Sequence, residues 1–289
     1  MNVSLRGLRR GIRNRLKRKS LPVLLVPITR GPLHNFFHFF FGYFVPLYWQ
    51  QMREPESQMA VVAVAPHKEW LDLLPGNPPK RLDALKAMKH SFLSGKSGYS
   101  PDYRVKGIFG WDKWEKFPTR PLQEIAREIR RNIGNQPASS LDGEPADILV
   151  LLRTHQPRFF SENSGLPYGA TKRDIPNLEE LVSELEGKYS IKALDPGSLA
   201  PREVISFFSR AKLVVGQHGA GLTNCFFLPP GASIIEICWP EFKVSDYAPI
   251  YGLLAESLGF RYQQLAIQDN AFSEINLGEL VEVIAKEMD

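Results

Sequence analysis

Residues Gly216 to Ile237 read GQHGAGLTNCFFLPPGASIIEI: a glycine-rich turn holding one histidine, a proline-glycine break, and a β-branched run that carries a glutamate. Glycine lets a backbone turn tightly and approach a ligand without a Cβ in the way. The amides that open the following helix, around Leu222, Thr223 and Asn224, have no partners within it and lie at its positive end, so they suit an anion such as phosphate. His218, inside the turn, can donate to a phosphate oxygen. The candidate contacts therefore run from Gly216 and Gln217 through His218, Gly219, Ala220 and Gly221 to Leu222, Thr223 and Asn224. The same residues also fit a tight turn in which His218 bonds only to a neighbouring carbonyl.

A dinucleotide is the obvious rival ligand, because Gly219 and Gly221 begin a G-x-G-x-x-G. The pattern fails at its third glycine, where Asn224 stands, and the turn follows the third strand of its region instead of the first. Glu236 sits inside the otherwise apolar SIIEIC and would be costly if buried unpaired. Cys225 and Cys238 are the only cysteines, too few for a disulfide framework and not at metal-ligand spacing. Enzymes that hold a divalent metal and a diphosphate together often do so with Asp-x-Asp, and no two aspartates in this chain are two apart.

These groups need elements to hold them. LPVLLVP (21–27) and MAVVAVAP (59–66) read as short buried strands with a helical stretch, 33–53, between them, and RPLQEIAREIRRNI (120–133) has helical periodicity. The aromatic run Leu33–Trp49 is short for a bilayer and is broken by Asn35, His38, Gly42 and Pro46, so a buried or interfacial helix is expected. NQPASSLDGEP (135–145) reads as a linker. Beyond it strands are expected at 147–153, 189–195, 212–217, 233–238 and 261–267, with helices at 177–187, 201–211, 248–259 and 277–289. That alternation implies parallel β-α-β units, and ligands of such sheets bind where strands end and helices begin. The glycine turn lies at such a place.

At 289 residues and 43% hydrophobic the chain can bury a large core, and two domains are the natural division, 21–140 and 141–289. Its net charge of +5 is local: residues 1–20 hold eight of the 36 Lys and Arg and no acid, leaving 28 bases against 31 acids. In a helix, Leu5, Leu8, Ile12 and Leu16 would form an apolar stripe among arginines, the pattern of a helix lying on an anionic membrane. A disordered basic tail or a nucleic-acid arm has the same composition. No apolar h-region with a small-residue cleavage site follows, which argues against a signal peptide.

The long motif GQHGAGLTNCFFLPPGASIIEI resembles the signature of glycosyltransferase family 61, in which a strand leads into H-G-A-G-L-T-N, then F-L-P-P-G-A, then a strand ending in E-I. The family's arginine after the first strand of this region is matched by Arg153 in LLRTH, its R-x-x-x-N by Arg173 to Asn177, and its N-x-x-H by Asn35 to His38. The resemblance implies an α/β, GT-B-like fold of two Rossmann-like domains facing across a cleft, the first on the acceptor side and the second binding a UDP-sugar. It implies inversion without metal or other cofactor. Charge developing on the departing diphosphate would then be met by His218, the turn amides, Arg153 and Arg173. Glu236 would accept from ribose hydroxyls, with a structural carboxylate as the other reading. Inversion also needs a base near the acceptor hydroxyl. His38 is the candidate; the family often has an acid four residues later where this chain has Gly42, and Glu69 and Asp72 are substitutes.

The resemblance implies transfer of a sugar from a UDP-sugar to a hydroxyl of a glycan, and an N-terminus that reads as neither signal nor anchor favours a glycan or lipid-linked glycan of capsule or lipopolysaccharide assembly. The expected place is the cytoplasm, on the inner face of the membrane through residues 1–20, with no nucleic-acid partner. Two other functions stay open: a sugar-nucleotide or glycan-binding protein without turnover, and another GT-B-like transferase such as one moving pyruvyl groups.

Overall fold

The computed structural model describes residues 21–29, 33–63, 67–94, 102–111, 117–134, 146–153, 174–238, 250–266 and 273–289. The basic leader, the 135–145 linker and Arg173 lie outside the described residues. Two compact units divide between Asp112 and Lys113.

In the first unit four parallel strands, β1 (Val23–Ile28), β2 (Met59–Val62), β3 (Lys80–Leu82) and β4 (Arg104–Phe109), lie in the order β3-β2-β1-β4. The order reverses between β1 and β4, so the crevice at their carboxyl ends is a topological switch point. Asn35 caps the helix that opens there, its side chain accepting from Phe37 N at 3.0 Å. The helical run is α1 (Phe36–Phe39), a π turn (Phe40–Phe44) and α2 (Val45–Arg53). Pro46 has no N–H to give the Gly42 carbonyl, so the ladder widens to a π turn before α2 restarts. Phe39, Phe40, Phe41, Tyr43 and Phe44 are fully buried, which accounts for an aromatic stretch this apolar without a bilayer. Among the described residues no helix is long and apolar enough to cross a membrane. The Tyr43 hydroxyl ties the run to the sheet, accepting from Val62 N at 2.7 Å and donating to Val62 O at 3.2 Å.

Helix α3 (Ala84–Ser94) and strands β3 and β4 carry no clear signal in the sequence. β3 is three residues with Lys80 and Arg81 exposed, and β4 is an edge strand with no fully buried residue. Neither has the alternation that a half-buried strand shows, and their pairing with β2 and β1 is what makes them strands.

Helix α4 (Thr119–Ile129) buries Leu122, Ile125, Ala126 and Ile129, an apolar face at helical spacing. It belongs to the second unit: Gln123 Nε2 donates to Ser257 O at 2.9 Å, and Arg130 Nη1 to Leu228 O at 2.7 Å. The dividing line therefore falls before this helix and not at 140/141, because its apolar face is covered by later segments.

The second unit has five parallel strands, β5 (Ile148–Leu151), β6 (Ile191–Leu194), β7 (Leu213–Gln217), β8 (Ser233–Cys238) and β9 (Arg261–Ala266), in the order β6-β5-β7-β8-β9. Its helices are α5 (Glu180–Leu185), α6 (Pro201–Phe208), α7 (Ile250–Leu258) and α8 (Leu277–Met288). One sheet face, with Ile148, Val150, Leu213, Val215, Ile235 and Ile237, packs on Leu181 and Leu185 of α5 and Leu280 and Ile284 of α8. On the other face the register sets Leu151, Gly216, Glu236 and Gln264 in one row. β8 is buried along its whole length, as expected for a central parallel strand covered on both faces.

Candidate active site

The second sheet reverses order between β5 and β7. Arg153 follows β5 and His218 follows β7, so the two sides of the switch point each deliver a basic side chain to its mouth. The Arg153 guanidinium donates from Nη2 to the His218 carbonyl at 2.5 Å. Gly219 has φ 153° and ψ −177°, a region open in practice only to glycine. A Cβ there would lie 2.0 Å from Arg153 Nη2. Gly219 thus admits the guanidinium, a different reason for glycine from direct approach of the ligand.

The other residues of the turn divide by exposure. Ala220 and Gly221 are half-buried and form the rim. Leu222, Thr223 and Asn224 are buried behind it in a 3-10 helix, Ala220–Phe227, where an α-helix is expected from sequence. Leu222 N closes the first turn on Gly219 O at 3.0 Å, and Asn224 Nδ2 donates to Gly221 O at 2.9 Å. The asparagine that spoils the dinucleotide pattern therefore closes this turn. Thr223 Oγ1 and Asn224 Oδ1 find no hydrogen-bond partner among the described residues. Gly216 lies inside the sheet, where a Cβ would press on Leu151 Cβ at 3.0 Å, so its role is packing, and Gln217 is buried at the end of β7.

Glu236 is fully buried, and its carboxylate has two partners in the site. One oxygen receives His218 Nδ1, the other the Tyr262 hydroxyl. A carboxylate only accepts, so the shared proton belongs to Nδ1. Glu236, expected to accept from ribose hydroxyls, here accepts from His218 and Tyr262, bonds that orient the imidazole. Burial first, then the Glu236 charge, pushes the Tyr262 phenol well above its usual range, so it stays a donor. Tyr251 donates to Gly219 O at 2.6 Å, and its ring meets the imidazole edge-on with centroids 5.6 Å apart. Sequence reasoning missed both tyrosines; only their strand and helix placement brings them here.

Asn177, expected as a ligand contact, has backbone partners in this structure. Its amide donates to Ile275 O at 2.9 Å and accepts from Ile275 N at 3.0 Å, pinning the segment before α8.

In the first unit His38 is half-buried in α1, its ring edge-on to Phe37 with centroids 5.4 Å apart. Asp72 is exposed and paired with Arg81, and Glu69 is half-buried in a short 3-10 turn, Lys68–Leu73. A histidine that sequence reasoning passed over, His67, is 4% exposed beside Phe36 and Phe39, and its Nε2 donates to the His34 carbonyl at 2.9 Å. It anchors the turn that leads into α1.

Burial lowers the His67 pKa to about 4, against a smaller opposing pull from the His34 carbonyl. The unfolded chain therefore binds the extra proton between about pH 6.5 and 4, and the folded chain does not. Stability is whole above that window and falls by on the order of 3 kcal/mol across it. Denaturant midpoints at a series of pH values will show this loss, and His67→Gln will flatten it. Parallel pH curves for the two proteins would refute the assignment.

Arg153 and His218 thus meet over a glycine turn at the switch point of a parallel α/β sheet, where ligands of such sheets bind. The sequence profile of Glycosyltransferase 61 matches residues 36–235, more than half the chain. The chain belongs to glycosyltransferase family 61. It is 31% identical over 124 residues to an alpha-1,3-arabinosyltransferase of Oryza sativa subsp. japonica, covering 41% of this chain and 18% of that protein. To the EGF domain-specific O-linked N-acetylglucosamine transferase of Xenopus laevis it is 34% identical over 116 residues, 37% of this chain and 21% of the relative. To the protein O-linked-mannose beta-1,4-N-acetylglucosaminyltransferase 2 of Mus musculus it is 33% identical over 98 residues, 32% and 16%. The matched stretches span about a fifth of these relatives.

Proposed function

We propose that the protein is an inverting, metal-independent glycosyltransferase that moves a sugar from a UDP-sugar to a hydroxyl of a glycan. The observation that carries this reading is the meeting of Arg153, His218 and Glu236 around Gly219, within a family whose related chains bear the names of sugar transferases. The Ala220 and Gly221 amides and the positive end of the 3-10 helix offer donors to a diphosphate. His218 Nε2 donates to a phosphate oxygen when the ring is protonated, and the Arg153 guanidinium adds fixed positive charge beside it. Donors held in place before reaction stabilise the departing diphosphate without a metal. Arg173 is assigned to the same task on the family motif alone. The GT-B arrangement, His38 as the acceptor-side base, a lipid-linked acceptor in capsule or lipopolysaccharide assembly, and a peripheral place on the cytoplasmic face of the membrane belong to the same proposal.

UDP should raise the thermal midpoint by mass action, roughly 2.7 kcal/mol of stabilisation at a hundredfold excess over Kd. His218→Ala and Arg153→Ala should both lose that shift. Equal shifts in all three proteins would sink the site assignment. Release of UDP from a panel of UDP-sugars, with and without glycan acceptors, separates a transferase from a binding protein without turnover.

A further inference from the structure

We infer that Tyr262 and Tyr251 are positioning residues for His218, Tyr262 through the Glu236 carboxylate and Tyr251 through the Gly219 carbonyl and the edge of the imidazole. The inference builds on the reading of His218 as the donor to the diphosphate.

The two oxygens of Glu236 are committed to different partners, His218 Nδ1 on one side and the Tyr262 hydroxyl on the other. A fully buried carboxylate held at both oxygens cannot rotate, and the imidazole bonded to it inherits a fixed azimuth and a fixed site for its proton. Remove the phenol hydroxyl and one oxygen loses its partner in a place water does not reach, so the carboxylate turns to share both oxygens with the ring. The direction Nε2 takes toward a ligand then changes.

Tyr251 acts on the turn itself. Its hydroxyl holds the Gly219 carbonyl at 2.6 Å, one peptide beyond the carbonyl that receives Arg153. Its ring stands against the imidazole at an interplanar angle of 65°. Both flanks of the histidine are therefore fixed by phenols from outside the glycine motif.

Helix α7 serves both arms through consecutive residues. Tyr251 reaches the turn, and Gly252 leaves space for the other ring: a Cβ at 252 would lie 3.2 Å from Tyr262 Cε1 and 3.4 Å from Cδ1. That is tighter than ordinary contact, so a side chain there would push the Tyr262 ring by a few tenths of an ångström. Burial and the Glu236 charge keep the Tyr262 phenol protonated, so it acts on the carboxylate as donor only.

The test uses the full chain with ring-15N histidine. Two-bond proton–nitrogen correlation reads which ring nitrogen of His218 bears the proton, and the missing signal in His218→Gln assigns it. The expected wild-type pattern has the proton on Nδ1. Tyr262→Phe should keep the proton on Nδ1, where the carboxylate still accepts it, but move the His218 ring-nitrogen shifts and displace the pH profile, with UDP-sugar turnover lowered on the order of ten- to hundredfold, the size of one hydrogen bond to a charged group. KM should stay within about twofold and the thermal midpoint within a few degrees. Tyr251→Phe should instead weaken UDP binding, because the turn loosens. Should Tyr262→Phe fail to fold, Gly252→Ala must reproduce the displaced ring-nitrogen shifts and pH profile in part. Unchanged His218 ring-nitrogen shifts and pH profile in Tyr262→Phe, or in Gly252→Ala when that is the folded variant, overturn the inference, as does a turnover loss that only tracks loss of folded protein. Wild-type protein without turnover on any UDP-sugar overturns the proposed function instead, while the His218 ring-nitrogen shifts still decide the positioning role.

Discussion

Gly219→Ala is expected to abolish the UDP-dependent thermal shift and to lower sugar transfer by more than about a hundredfold. Two independent costs meet at the position. The backbone at φ 153° is strained for any residue with a Cβ, on the order of 1–3 kcal/mol. The new methyl would also occupy the place of the Arg153 guanidinium, at 2.0 Å from Nη2. The guanidinium is the far end of a flexible side chain, so it moves and the fold survives. What is lost is its bond to the His218 carbonyl and with it the placement of positive charge over the turn. Gly278→Ala, in α8 and outside the turn, is the control, since its Cβ makes only ordinary contact with Asn276 Oδ1 at 3.4 Å. Calorimetry or thermal-shift titration with UDP reads both variants. A Gly219→Ala protein that binds UDP like wild type would refute the role given to Arg153.

Glu236→Gln is the second large effect, with turnover expected to fall on the order of 10²- to 10⁴-fold at nearly unchanged volume, the range seen when an acid that orients a catalytic histidine becomes an amide. The carboxylate accepts from His218 Nδ1 and from Tyr262. An amide has one accepting oxygen and one donating nitrogen. If the oxygen stays on Tyr262, the NH₂ faces Nδ1 and drives the ring proton to Nε2; if it turns, the oxygen keeps Nδ1–H and the NH₂ donates to the Tyr262 hydroxyl, which reverses its role, but the negative charge facing the ring is gone. The first arrangement breaks one of the two bonds in a fully buried place and costs about 1–3 kcal/mol of stability; the second keeps both contacts and loses the charge that orients and supports the imidazole. Steady-state kinetics with the active UDP-sugar, beside a denaturation curve, separates the catalytic loss from the structural one. Wild-type turnover in Glu236→Gln would remove the orienting role.

The parts legible in the sequence are those whose signal is local. The aromatic helix, the amphipathic Thr119–Ile129 and the regular strands and helices after 146 declare themselves because burial repeats every two or three to four residues along one segment. β3 and β4 were hidden for the opposite reason: β3 shows exposed Lys80 and Arg81, β4 lies at an edge, and pairing with β2 and β1 alone makes them strands. The unit boundary was displaced because the apolar stripe of α4 shows that the helix must be covered and says nothing of which segment covers it. In the site, Arg153 and His218 were legible as types at strand ends, while Asn177 and Glu236 carry side chains whose partners, Ile275 and Tyr262, lie far along the chain.

By itself the sequence determined that a glycine turn with one histidine ends a buried strand of a parallel β-α-β region, and the motif's length made the family recognisable. Tertiary structure alone decided why each residue is there. The parallel register of β7, β8 and β9 sets Gly216 beside Glu236 and brings Tyr262 within reach of the same carboxylate, the reversal of strand order puts Arg153 across from His218, and α7 lays Tyr251 on the turn. Local pattern records the backbone's own period of burial, whereas the charge and hydrogen bonding of a buried side chain are completed by whichever distant segment the sheet order places beside it.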